Sequence, residues 1–153
     1  MKYTIQKYDL FKFYKENPDY FLVHCIASDC ALGAGIAVEF EKKFKLREIL
    51  KKFSFEQRLH PTIILVGQVF NLITKEKSYL KPSYTSLFKT LNMLKDFSLK
   101  KNIKKLAMPK IGCGLDCLFW DCVEEEIKNI FRTTDIEIVV CYNGYPFDAR
   151  TRC

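Results

Sequence analysis

No apolar run in this chain approaches the roughly 20 residues that a membrane-spanning helix needs, and the opening MKYTIQKYDLF lacks the apolar core of a signal peptide. A membrane-free protein of the cell interior, cytoplasmic or nuclear, is the expectation. Low-complexity tracts are also missing, which argues against a disordered chain. There is no G-x-G-x-x-G, and no glycine loop that ends in Lys-Ser or Lys-Thr. Dinucleotide oxidoreductases and P-loop triphosphatases therefore find little support. The cysteines fall at C-x4-C (Cys25, Cys30), C-x3-C (Cys113, Cys117) and C-x4-C (Cys117, Cys122), spacings that match no common zinc pattern. Their odd count of 7, with no secretory signal, favours reduced thiols over a disulfide framework. No metal site is expected.

What the chain does have is apolar material. Of its 153 residues 48% are hydrophobic and 14% aromatic, enough for one domain over 1–153 with a real core. Its 25 basic and 18 acidic side chains leave a net charge of +7. That balance favours anionic partners, either nucleic acid or a phosphate-bearing ligand. Because the lysines are scattered along the chain, a solvated basic surface explains the charge equally well.

The apolar pattern reads as alternating elements. FLVHCIA (21–27) has the composition of a buried strand. ALGAGIAVEFEKKF (31–44) puts Ile36, Phe40 and Phe44 at i, i+4 and i+8, so a helix starts near Gly35. TIILV (62–66) and VFNLI (69–73) flank a turn at Gly67-Gln68 and read as a strand pair. Pro82 and Ser83 open a helix whose face carries Leu87, Leu91 and Leu94. KKLAM (104–108) is a strand, and Trp120, Val123, Ile127, Ile130 and Phe131 share one face of the next helix. IEIVVCY (136–142) is the last strand. Strands alternating with helices predict an α/β domain with helices on both faces of a mixed sheet.

In such sheets ligands gather beyond the carboxyl ends of the strands. Two glycine loops, LGAGIA and IGCGLD, each lie between a strand end and a helix start, where backbone N–H groups can cradle phosphate. Each is also explained by tight packing of helix on strand. Asp116, just ahead of a helix, has the local reading of an N-cap, and Lys75 in TKEK that of a solvated charge.

Taken together and in order, YDLF (8–11), HCIASDCALGAGIAVEFEKKF (24–44), LITK (72–75), KPSY (81–84) and MPKIGCGLD (108–116) resemble the macrodomains that recognise ADP-ribose. Within these, they resemble the terminal ADP-ribose protein glycohydrolase branch. The resemblance runs from about residue 3 to 142, leaves 143–153 as a C-terminal tail, and implies a three-layer α/β/α sandwich with a mixed central sheet. It implies that Asp9 accepts a hydrogen bond from the adenine amino group, with Leu10 beside it. Gly33, Ala34, Gly35 and Ile36 would wrap the diphosphate and distal ribose, flanked by Ala27 and Leu32. Pro109, Ile111, Gly112, Cys113, Gly114 and Leu115 would form the second phosphate loop. Tyr142 is the candidate to stack on adenine, in competition with Cys141. Lys75 and Asp116 align with the branch's catalytic lysine and aspartate.

The chemistry gives those two residue types separate support. An ADP-ribosyl ester is joined at the anomeric carbon of the distal ribose, a masked aldehyde that a neutral amine can attack to form a Schiff-base-type adduct. Such a lysine needs a depressed pKa, and a nearby carboxylate can shuttle the protons. The resemblance thus implies a hydrolase that removes mono-ADP-ribose from glutamate or aspartate esters and also deacylates O-acyl-ADP-ribose. The alternatives are a non-catalytic ADP-ribose reader and a hydrolase of ADP-ribosylated nucleic acid bases. The expected partners are ADP-ribosylated proteins, ADP-ribose itself as ligand and product, and ADP-ribosylated nucleic acid. A monomer with no metal and no cofactor is expected. Two departures stand out: CIASDC has no asparagine where other branches carry one, and Tyr8 replaces a usual glycine beside the adenine pocket.

Overall fold

Apolar residues alternate along the strands between two separate layers, and this places helices on both faces of one sheet. The computed structural model describes residues 1–143, so residues 144–153 of the expected tail lie outside the described residues. The strands are β1 (Lys2–Lys7), β2 (Phe21–Ala27), β3 (Thr62–Val66), β4 (Val69–Lys75), β5 (Lys105–Met108) and β6 (Glu137–Tyr142). They form a sheet of order β1-β6-β5-β2-β4-β3. Only the β3–β4 hairpin is antiparallel. The helices are α1 (Leu10–Glu16), α2 (Ile36–Phe44), α3 (Leu46–Leu50), α4 (Tyr84–Lys100) and α5 (Trp120–Phe131).

In β6, Ile138 and Val140 face the α4–α5 layer, where Leu87, Leu91, Val123 and Ile127 are buried. Val139 and Cys141 face the other layer, with Leu10 of α1, Phe40 of α2 and Leu50 of α3. This period-2 switch is what a sheet covered on both faces requires. Full burial of a phenylalanine such as Phe40 stabilises by roughly 1.5–3 kcal/mol. Below α2, His24 stacks on Phe40 with ring centroids 3.8 Å apart, and its Nε2 lies 2.6 Å from Asn71 Oδ1. Burial lowers the His24 pKa to about 4, although the Asn71 hydrogen bond opposes the shift.

The mixed sheet, the helix start at Gly35 and the 62–73 hairpin agree with the sequence reading. β1, α1 and α3 carry too little apolar pattern to be found that way: β1 exposes Lys2, Thr4, Ile5 and Lys7, and α3 has only five residues.

Candidate functional site

Because β1, β6, β5, β2 and β4 run parallel, their carboxyl ends share one rim, and the two glycine loops leave from it. Ser83 caps α4 by accepting the Ser86 N–H at 3.0 Å, and Asp9 caps α1 by accepting the Lys12 N–H at 2.9 Å. Asp116 does not cap the helix that follows, which corrects the local reading of that residue. It lies in a 3-10 turn, Gly114–Asp116, and α5 starts only after Phe119, with no side-chain cap. The carboxylate points instead to the end of β4.

There Lys75 Nζ donates to Asp116 Oδ1 at 2.8 Å, with the two side chains 13% and 19% exposed. A register shift at the end of the β2–β4 pairing sets this up. Ile26 pairs with Ile73 but Ala27 pairs with Lys75, so Thr74 is an extra residue in β4. A bulge of this kind re-aims the side chain that follows it. The Ser28 N–H then closes onto the Lys75 carbonyl at 2.8 Å.

The pair lies in the wall of a cavity of about 330 Å3. That wall includes Ala27, Leu32, Gly33, Ala34, Gly35, Ile36, Pro109, Ile111, Gly112, Cys113 and Leu115 among the residues expected at the site. Gly114 is buried and lies outside it. Asp9, Leu10 and Tyr142 line a second cavity of about 340 Å3, together with Tyr8 and Cys141. Ile36 belongs to both walls. Tyr8 takes part in shaping the second cavity, and its hydroxyl donates to the Glu16 carboxylate.

The first wall also contains Cys25, Ser78, Tyr79, Lys81 and Lys110, none of which the sequence reading assigned to the ligand site. The run KSYLKP after β4 was the available signal, a polar segment leaving a strand end at the ligand rim. Its Ser78 ties two loops together: its N–H and Oγ donate to Asp29 at 2.8 and 2.6 Å, and the Ala31 N–H donates to the same carboxylate at 3.1 Å. Burial disfavours the ionised Asp29, yet the Ser78 and Ala31 hydrogen bonds outweigh it and hold the carboxyl below its usual value. Lys81 Nζ donates to the Leu115 carbonyl.

Burial pushes the Cys25 thiol up and the nearby Asp116 charge adds to the shift. The group stays a thiol and is no nucleophile. Cys25, Cys30, Cys122 and Cys141 are free thiols, whereas Cys117 departs from the expected reduced state and is disulfide-bonded. Among the described residues no group of three or more His, Cys, Asp or Glu could hold a metal ion, and no helix is long and apolar enough to cross a membrane.

No protein-family model matches the chain, but curated relatives do. It is 40% identical over 142 residues to ADP-ribose glycohydrolase OARD1 of Homo sapiens, covering 90% of this chain and 89% of that protein. It is 42% identical over 124 residues to ADP-ribose glycohydrolase OARD1 of Bos taurus, covering 78% and 79%. Among solved structures, the macrodomain of Mycobacterium tuberculosis DarG superposes with a TM-score of 0.80 at 20% identity, over 92% of this chain and 97% of that one.

Proposed function

Starting from the fact that the chain belongs to the terminal ADP-ribose protein glycohydrolase branch of the macrodomains, we propose that it hydrolyses mono-ADP-ribose from glutamate and aspartate esters, with O-acyl-ADP-ribose as a second substrate. The carrying observation is the Lys75–Asp116 pair, 2.8 Å apart in a cavity wall between two glycine loops. The adenosine end of the ligand occupies the cavity of Asp9 and Tyr142. The distal ribose occupies the cavity of Lys75.

In the ion pair Lys75 is an ammonium and has no lone pair to attack with. Asp116 is the proton acceptor within reach, so transfer of a proton from Nζ to the carboxylate releases the nucleophile. The free amine bonds to the anomeric carbon as the bond from that carbon to the acyl oxygen breaks. The electron pair of the broken bond leaves on the acyl oxygen, as the freed carboxylate of the acceptor side chain. The second amine proton passes to solvent, and Asp116 gives the proton it took from Nζ to the ring oxygen as the ribose ring opens, which leaves the Schiff-base adduct beside an ionised Asp116. Water adds to it with its proton handed to Asp116, and collapse returns the lysine and frees ADP-ribose. The scheme uses no metal and no redox cofactor.

The test is incubation with a peptide carrying ADP-ribose on glutamate. Free ADP-ribose should appear, and Lys75→Ala and Asp116→Ala should each lower the rate at least about 10^2-fold. Borohydride added during turnover should fix ADP-ribose on Lys75 as a mass increment. Tight ADP-ribose binding with no release would sink the enzymatic reading and leave a reader. The net charge of +7 supports one second reading, removal of ADP-ribose from nucleic acid bases. Release from a modified oligonucleotide in preference to the peptide, with steep salt dependence, would decide for it.

A further inference from the structure

We infer that Lys110 is the cation that receives the ligand's diphosphate, and that in the empty protein it is held on the ring of Tyr142. This rests on the placement of ADP-ribose across the two cavities. Three lysines line the first cavity: Lys75, Lys81 and Lys110. Lys75 is neutralised by Asp116, and Lys81 is engaged by the Leu115 carbonyl. Lys110 Nζ lies 4.2 Å from the centroid of the Tyr142 ring, and that ring lines the second cavity. One half-buried side chain therefore reaches from one cavity wall to the other.

The acids nearby are committed elsewhere. Asp9 accepts the Lys12 N–H, Glu39 faces Lys42 at 3.8 Å, and Asp116 holds Lys75. Among the described residues no ion pair engages Lys110, and its charge stands at the junction against the π face of Tyr142. A ligand with its nucleobase in one cavity and its ribose in the other must carry its linker past this junction, and the linker is the dianionic diphosphate. A charge-assisted hydrogen bond to phosphate is stronger than a partly solvated cation–π contact, so the ammonium moves to the anion. That move also uncovers the Tyr142 face on the nucleobase side. Binding of the base and binding of the diphosphate are coupled through one side chain.

Calorimetric titration of wild type, Lys110→Met and Lys110→Arg with ADP-ribose, ADP and adenosine tests this. Lys110→Met should weaken ADP-ribose and ADP by about 10-fold or more while adenosine binds no more weakly than to wild type, and Lys110→Arg should keep most of the affinity. Equal affinity of wild type and Lys110→Met for ADP and ADP-ribose would overturn the inference. So would a parallel loss for adenosine, which marks a change in Tyr142 alone. These ratios are independent of turnover: a protein that binds ADP-ribose but releases none defeats the enzymatic reading and leaves the role of Lys110 standing.

Discussion

The two glycine loops look alike in sequence, and the structure uses them differently. In the second loop Gly112 has φ +74, and a Cβ there would come 2.8 Å from Leu87 Cδ2 and 3.0 Å from Leu118 Cδ1. In the first loop a Cβ on Gly33 would meet nothing within 4 Å. Gly35 takes φ 61, ψ −149 at the start of α2, a conformation open essentially to glycine alone. Gly112 is thus a packing residue that lets the loop close on α4, and Gly33 opens onto solvent and the cavity. The resemblance of the motifs hides a division of labour: one loop is fastened to the core and the other is left bare beside the cavity.

Gly112→Ala is the most damaging way to challenge that contrast. Positive φ and the clash with Leu87 and Leu118 together should cost about 2–4 kcal/mol, read as a lower denaturation midpoint at unchanged m value. Loss of ADP-ribose affinity with full stability would instead make Gly112 a ligand residue like Gly33. Acid probes the support of the first loop. His24 packs under α2, and its pKa falls from 6.5 to about 4 on folding, so the unfolded chain binds the extra proton between those values. Stability therefore rises with pH across this window and falls on acidification from pH 6.5 towards pH 4, by up to roughly 3 kcal/mol. Urea titrations at pH 7, 5.5 and 4.5 measure the slope. His24→Gln should flatten it between pH 5.5 and 7, whatever its own stability.

How far the sequence could reveal this differs between fold and site. Long, two-faced patterns such as Leu87-Leu91-Leu94 and the β6 run carry their burial in composition, so the layered sheet was legible. β1 was not, because an edge strand paired on one side only keeps exposed lysines. At the site, the five motif blocks located Lys75 and Asp116, but their 2.8 Å contact depends on the extra Thr74 in β4. A bulge leaves no mark on a run as regular as VFNLITK. The local expectation that Asp116 caps α5 failed because the turn Gly114–Asp116 and Cys117–Phe119 intervene before Trp120. Lys110 and Ser78 went unnoticed because an isolated lysine or serine in a loop is common, and only the fold shows what stands opposite.

Gly33→Ala gives the smallest effect on folding and the finest test of the contrast. The residue is exposed, its φ lies outside the left-handed range, and an added methyl meets no atom within 4 Å. Stability should stay within about 0.5 kcal/mol of wild type. A slight gain would fit too, since alanine has fewer unfolded conformations to lose. Affinity should respond where stability does not, because Gly33 lines the cavity and the methyl would take up space on the path proposed for the diphosphate. We expect ADP-ribose to bind about 10-fold more weakly, near 1.4 kcal/mol, with adenosine unaffected. A destabilised Gly33→Ala protein with undiminished ADP-ribose affinity would invert the assignment of the two loops. The cradle would then belong to the second loop, and the first would be the structural one.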